Sequence, residues 1–131
     1  MPALNFKSRF ADLVVTGAKI HTIRAWRKRP FKVGDPLMFY TGMRTKACRK
    51  LRANAVCTAA SSIIITSGTR LVSIREGSRY TSRAGWWTLR DETVEQLARN
   101  DGFESVDAFF QFFATATDHF FCGQLIEWEA K

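Results

Sequence analysis

The stretch from Lys46 to Ile74 most constrains the fold, because Val, Ile, Thr, Ala and Arg dominate it. β-Branched side chains lose rotamer freedom in a helix and pack well on a pleated surface. Ala53–Thr58 and Ser61–Thr66 therefore read as strands, and Thr69–Ile74 as a third. The last third of the chain changes period. Val106, Phe109, Phe110 and Phe113 fall at i, i+3, i+4 and i+7, one face of a helix. Ser105 is its N-cap, with Asp107 in the first turn. This phenylalanine cluster reads as core rather than as a platform for stacking bases. Thr93 and Gln96 form a capping box for a preceding helix, which Gly102 closes. Phe120–Trp128 is a final strand.

The front of the chain begins with a helix. Phe6, Phe10, Leu13 and Val14 recur at i, i+4, i+7 and i+8, and Gly17 suits its C-terminal stop. Lys19–Arg24 alternates like a strand. Ala25–Lys32 is basic and exposed, with a turn at Pro30, and Val33-Gly34-Asp35 turns into the strand Pro36–Tyr40. Gly77–Gly85 is a polar, basic, mobile loop ended by Trp86 and Trp87, one expected in the core and the other as a lid. The order is helix, strands, two helices, strand. This predicts an α+β domain, a small curled β-sheet or barrel with flanking helices. At 131 residues it is a single domain spanning 1–131.

Composition removes several classes. Hydrophobic residues make up 46% and charged residues 24%, which excludes a disordered or collagen-like chain. No apolar run approaches the roughly 20 residues that cross a bilayer, and no signal peptide opens the chain. A soluble, cytoplasmic protein with no membrane partner is expected. Cys48, Cys57 and Cys122 are odd in number and match no zinc spacing, so reduced thiols and no metal are expected. Phosphate-binding loops and dinucleotide fingerprints are missing from the sequence, so no cofactor is expected.

The charge points toward a partner. Residues 1–90 hold eighteen bases and three acids, whereas residues 91–131 hold two bases and nine acids. Such a basic surface attracts phosphate backbones without reading sequence. Arg outnumbers Lys thirteen to seven, favouring planar and bidentate contacts. Two segments combine aromatic and basic side chains: Trp26 with Arg27–Arg29, and Tyr40 with Gly42, Arg44, Lys46 and Arg49. A strand-end aromatic can stack a base while cations follow the backbone. RNA or a modified nucleoside is the expected partner.

Gly17-Ala18-Lys19-Ile20-His21-Thr22-Ile23-Arg24, followed by Val33-Gly34-Asp35 before a strand, resembles the ASCH domain family. Leu97–Phe109 is similar to that family's helix-turn-helix segment and Phe121–Trp128 to its closing strand. The resemblance implies a PUA-like β-barrel fold and an association with RNA. At the same run the chain is nearest to the small 4-acetylcytidine amidohydrolases. Their pattern implies catalytic roles for Lys19 and Thr22 with a late carboxylate, for which Asp101 is the positional match, although the family carries Glu there.

In that reading Thr22 attacks an acetyl carbonyl, Lys19 takes its proton, and Asp101 orients the lysine or shuttles a proton. Arg24 serves as a phosphate ligand or a core-edge ion pair, and His21 as a substrate contact or a packed strand residue. Side chains three apart on a regular strand face opposite ways, so Lys19 and Thr22 meet only if the chain bends between them. The alternatives are a non-catalytic RNA-binding regulatory module, and a ribonuclease in which Lys19 promotes attack by a ribose hydroxyl.

Overall fold

The β-branched run forms one long strand rather than two. In the computed structural model, which describes residues 3–82, 84–114 and 120–129, it extends from Arg49 to Thr66. From Cys57 onward every second residue (Cys57, Ala59, Ser61, Ile63 and Ile65) is buried, the period-2 signature of a strand with one face on the core.

In chain order the elements are β1 (Ala3–Phe6), α1 (Ser8–Thr16), β2 (His21–Ala25), β3 (Pro36–Thr41), β4 (Arg49–Thr66) and β5 (Leu71–Arg75). They continue with β6 (Trp86–Thr88), α2 (Asp91–Asn100), α3 (Val106–Ala114) and β7 (Phe120–Trp128). Among the described residues this is a mixed α+β protein with a seven-stranded sheet and three helices. The first half of β4 pairs with β3, which pairs in parallel with β1. Its second half pairs with β5 and with β7, and β7 pairs with β2. Register slips between Cys57 and Ala59, where the partners of β4 change. A strand this long serves two sets of neighbours, and the irregularity lets it bend between them.

Several expectations are corrected. Phe6 is not on the first helix but ends β1, a strand the sequence did not announce, and it is still buried. Thr93 is not a cap, because α2 already begins at Asp91 and its N-cap is Arg90, without a side-chain cap. Asp91 and Glu92 in its first turn complement the helix dipole instead. The Gly77–Gly85 loop, expected to be mobile, is anchored at its start: Ser78 Oγ and Arg79 Nε donate to the buried carboxylate of Glu127, each at 2.7 Å. Trp86 and Trp87 lie in the short strand β6 against β5, and neither lines the cavity bordered by Lys19, Thr22 and Asp101. Ser105 does cap α3, its Oγ accepting from the Ala108 N–H at 3.1 Å.

Phe109, Phe110 and Phe113 are buried as the pattern required; Phe109 packs edge to face with Phe103 and Phe110, and Phe113 lies tilted against Phe121. No helix among the described residues is long and apolar enough to cross a membrane.

Candidate functional site

Two helix ends build the site. α1 stops at Gly17, whose φ of 85° is left-handed backbone that favours glycine. The chain reverses there, and the Lys19 N–H donates back to the Leu13 carbonyl at 3.0 Å. β2 starts only at His21, so Lys19 sits on the turn before the pleat, not within it. That is the bend the Lys19/Thr22 spacing required. α2 ends in a Schellman arrangement: Phe103 N–H donates to Ala98 O at 2.9 Å and Gly102 N–H to Arg99 O at 3.0 Å, with Gly102 at φ 95°. The Ile20 N–H, donating to Asn100 O at 3.3 Å, draws the two turns together.

Asp101 sits between these turns and collects their side chains. Lys19 Nζ donates to Asp101 Oδ1 at 2.9 Å and to its backbone carbonyl at 2.6 Å. His21 Nδ1 lies 3.0 Å from the same Oδ1, and His21 Nε2 lies 2.7 Å from the Tyr80 hydroxyl. Asn100 Nδ2 donates to that hydroxyl at 3.0 Å. One assignment satisfies every group: Asn100 donates to Tyr80, Tyr80 to His21 Nε2, and His21 Nδ1–H to the carboxylate. Lys19, His21 and Asp101 are all 3% exposed or less, so each depends on these partners.

Burial pushes the Lys19 amine below its ordinary pKa; Asp101 draws it partly back, and Arg24 adds to the fall. Burial alone would raise the Asp101 carboxyl, but the charge of Lys19 and the hydrogen bond from His21 outweigh it and hold the carboxyl low. The carboxylate is thus ionised and the proton on the lysine is the loosened one. Burial pushes the Tyr80 phenol up to about 12, which keeps it a donor to His21.

The other half of the site is a cavity of about 320 Å³. Lys19, Thr22, Arg24 and Asp101 are all among its lining residues, so the three catalytic candidates of the sequence border one hollow. Thr22 and Arg24, two apart on β2, share a face, and Arg24 Nε donates to Thr22 Oγ1 at 3.2 Å. The walls are Phe6, Phe10, Phe103, Phe112, Phe113 and Phe121, with the more exposed Asn5 and Lys7 at the mouth. A small aromatic-walled cavity with a few convergent polar groups suits a planar ligand.

The remaining sequence candidates lie elsewhere. His21 is fully buried behind Asp101 and does not line the cavity. Trp26 is 48% exposed, and Tyr40, Arg44, Lys46 and Arg49 lie on β3, β4 and the connection between them, outside the cavity lining. β1 joins the two regions: Asn5, at the mouth, pairs with Tyr40 across β1 and β3, and its Oδ1 accepts from the Met43 N–H, next to Arg44, at 3.0 Å. Sequence reasoning missed Tyr80 and Asn100: Tyr80 meets His21 across 59 residues and Asn100 meets Tyr80 across 20. Among the described residues no group of three or more His, Cys, Asp or Glu could hold a metal ion. No family model, curated protein or solved structure matches the chain.

Proposed function

We propose that this is an ASCH-like protein of PUA-like fold acting in the cytoplasm, whose cavity removes an acyl group from the exocyclic amine of a modified nucleoside, 4-acetylcytidine being the expected substrate. The observation that carries the reading is the convergence of Lys19, Thr22 and Asp101 on one aromatic-walled cavity. Lys19 in its neutral form takes the Thr22 proton as Oγ1 bonds to the acetyl carbon. The C–N bond then breaks and the cytidine amine leaves with the proton from Lys19. Water, deprotonated by the same amine, then bonds to the acyl carbon, the C–Oγ1 bond breaks to release acetate, and Lys19 returns the proton to Thr22. The Arg24 Nε–H on Thr22 Oγ1 favours the anionic form of the attacking oxygen. Asp101 holds Lys19 in place and His21 holds Asp101. The Asp side chain suffices in place of the family Glu because the α2 turn brings it within 2.9 Å of the amine. Unbridged Cys48, Cys57 and Cys122 fit a reducing compartment.

Incubation with 4-acetylcytidine should yield cytidine and acetate, with turnover lost in Thr22→Ala and partly kept in Thr22→Ser. Absence of product at stoichiometric enzyme refutes the reading. A second reading, a non-catalytic RNA-binding module, is favoured by the exposed cations Arg44, Lys46 and Arg49 outside the cavity. It predicts salt-sensitive RNA binding that survives Thr22→Ala and falls in Arg44→Ala and Arg49→Ala.

A further inference from the structure

We propose that Lys7 and Arg24 seat a phosphate at the mouth of the cavity, so that its ligand is a base carrying a phosphoester rather than a neutral nucleoside. The inference takes the planar base from the function proposed above; the anion rests on charge and donor geometry alone.

Three cations line the cavity (Lys7, Lys19 and Arg24), against one carboxylate, Asp101. Lys19 and Asp101 satisfy one another at 2.9 Å, which leaves Lys7 and Arg24 in excess. Neither is in an ion pair among the described residues. Both are aimed by aromatic walls: the Lys7 ammonium lies 5.0 Å from the centroid of Phe112, and the Arg24 guanidinium 4.9 Å from that of Phe6. Two of the guanidinium's donors are committed, Nε to Thr22 Oγ1 and Nη2 to the Asn5 carbonyl at 2.8 Å. These bonds fix the plane of the group and leave Nη1 for an outside acceptor. Asn5 contributes a third donor, because its Oδ1 already accepts from Met43 and its amide nitrogen is left over.

The mouth therefore keeps its spare groups as donors, the Asn5 carbonyl and Oδ1 being already bonded. A neutral sugar would leave this charge unanswered, whereas a phosphate oxygen accepts from a guanidinium and an ammonium at once. The first turn of α1, which opens beside Lys7, holds no acidic residue to oppose an anion.

The test is calorimetric titration of the wild-type chain with cytidine, its 5′- and 3′-monophosphates, and a short cytidine oligonucleotide. At low salt at least one phosphate form should bind about tenfold or more tightly than cytidine, the worth of one charge-assisted hydrogen bond. Added salt should narrow the gap, because Lys7 is exposed. Lys7→Gln should shrink the ratio of phosphate to nucleoside affinity toward one without changing the melting temperature. The monoester and diester arms identify which phosphate is held. Equal affinity for all four, no binding of any, or a ratio untouched by Lys7→Gln overturns the seat. Turnover of 4-acetylcytidine with no gain from a phosphate removes this inference and spares the hydrolase; phosphate-dependent binding without turnover does the reverse.

Discussion

Replacing Asp101 by Asn keeps the shape of the side chain and removes its charge, which isolates the buried ion pair. The amide oxygen can still accept from Lys19 and His21, so the hydrogen bonds at 2.9 and 3.0 Å survive in weaker form. What is lost is the carboxylate that, among the described residues, pairs with the ammonium of Lys19, a residue 2% exposed. Breaking a buried pair from one side costs about 3–5 kcal/mol, and the retained hydrogen bonds put Asp101→Asn at the lower end, with Asp101→Ala at the upper. About 3 kcal/mol corresponds to a melting temperature lower by roughly 10 °C for a chain of this size.

The pH dependence separates this explanation from simple loss of packing. Lys19 titrates below 10.5 in the folded state, so between its lowered value and 10.5 the unfolded chain holds more protons and stability rises with pH. Without the attraction of Asp101 that window opens further downward, and the variant recovers faster than the wild type as pH rises. Asp101 titrates below 3.8, so its contribution is present above 3.8 and disappears as pH falls through its folded value. The penalty for Asp101→Asn should therefore be largest above 3.8 and below the lowered Lys19 value, and shrink on both sides. Urea unfolding of both proteins across the pH range measures it. A penalty independent of pH, or below about 1 kcal/mol at its peak, refutes the ion-pair argument.

Other expectations follow from the same contacts. Tyr80→Phe strips a hydroxyl that serves both His21 and Asn100, and should cost about 1–3 kcal/mol in urea unfolding. His21→Phe should cost at least as much, because it also frees one bond on Asp101. Gly123→Ala places a methyl against the Arg24 carbonyl where β2 meets β7, and should destabilise by about 1–3 kcal/mol or shift β2, read as lost stability together with a changed Thr22–Arg24 site. Cys57 is buried and pushed up to about 11, whereas Cys48 and Cys122 are exposed. Alkylation at about pH 8 should add two labels to the native chain and three after unfolding, counted by mass spectrometry.

How much of the fold was legible follows from what each signal encodes. The closing strand Phe120–Trp128 and the helix at Ser105 were found because capping and periodicity are local. β1 was not, because four residues whose neighbours lie on β3, about thirty-five positions away, leave no local pattern of their own. Phe6 then lent itself to the helical spacing of Phe10, Leu13 and Val14, although it is buried from a strand. Ala53–Thr58 and Ser61–Thr66 looked separate because small residues interrupt the β-branched run. Pairing with β7 carries the strand through that gap. Tertiary pairing overrides weak local preference.

The site divides along the same line. Lys19, Thr22 and Arg24 lie within six residues, so one short segment and one turn decide whether they meet, and a motif can announce it. Asp101 lies 82 residues from Lys19, and only the family resemblance, which expects a late carboxylate, made it a candidate. Tyr80 carried no such mark. It lies in a polar segment whose glycines and serines read as a free loop, and what pins that loop is Glu127, whose Cα partner across β2 and β7 is His21. The clamp on Glu127 and the hydrogen bond to His21 therefore come from one stretch of chain, Ser78–Tyr80, settled on neighbouring strands. Loosening Arg79 or Ser78 should act on the cavity through Tyr80, His21 and Asp101. Arg79→Ala is thus expected to lower turnover more than its partly exposed ion pair lowers stability. An equal, small effect on both would show that the loop is held by Tyr80 alone.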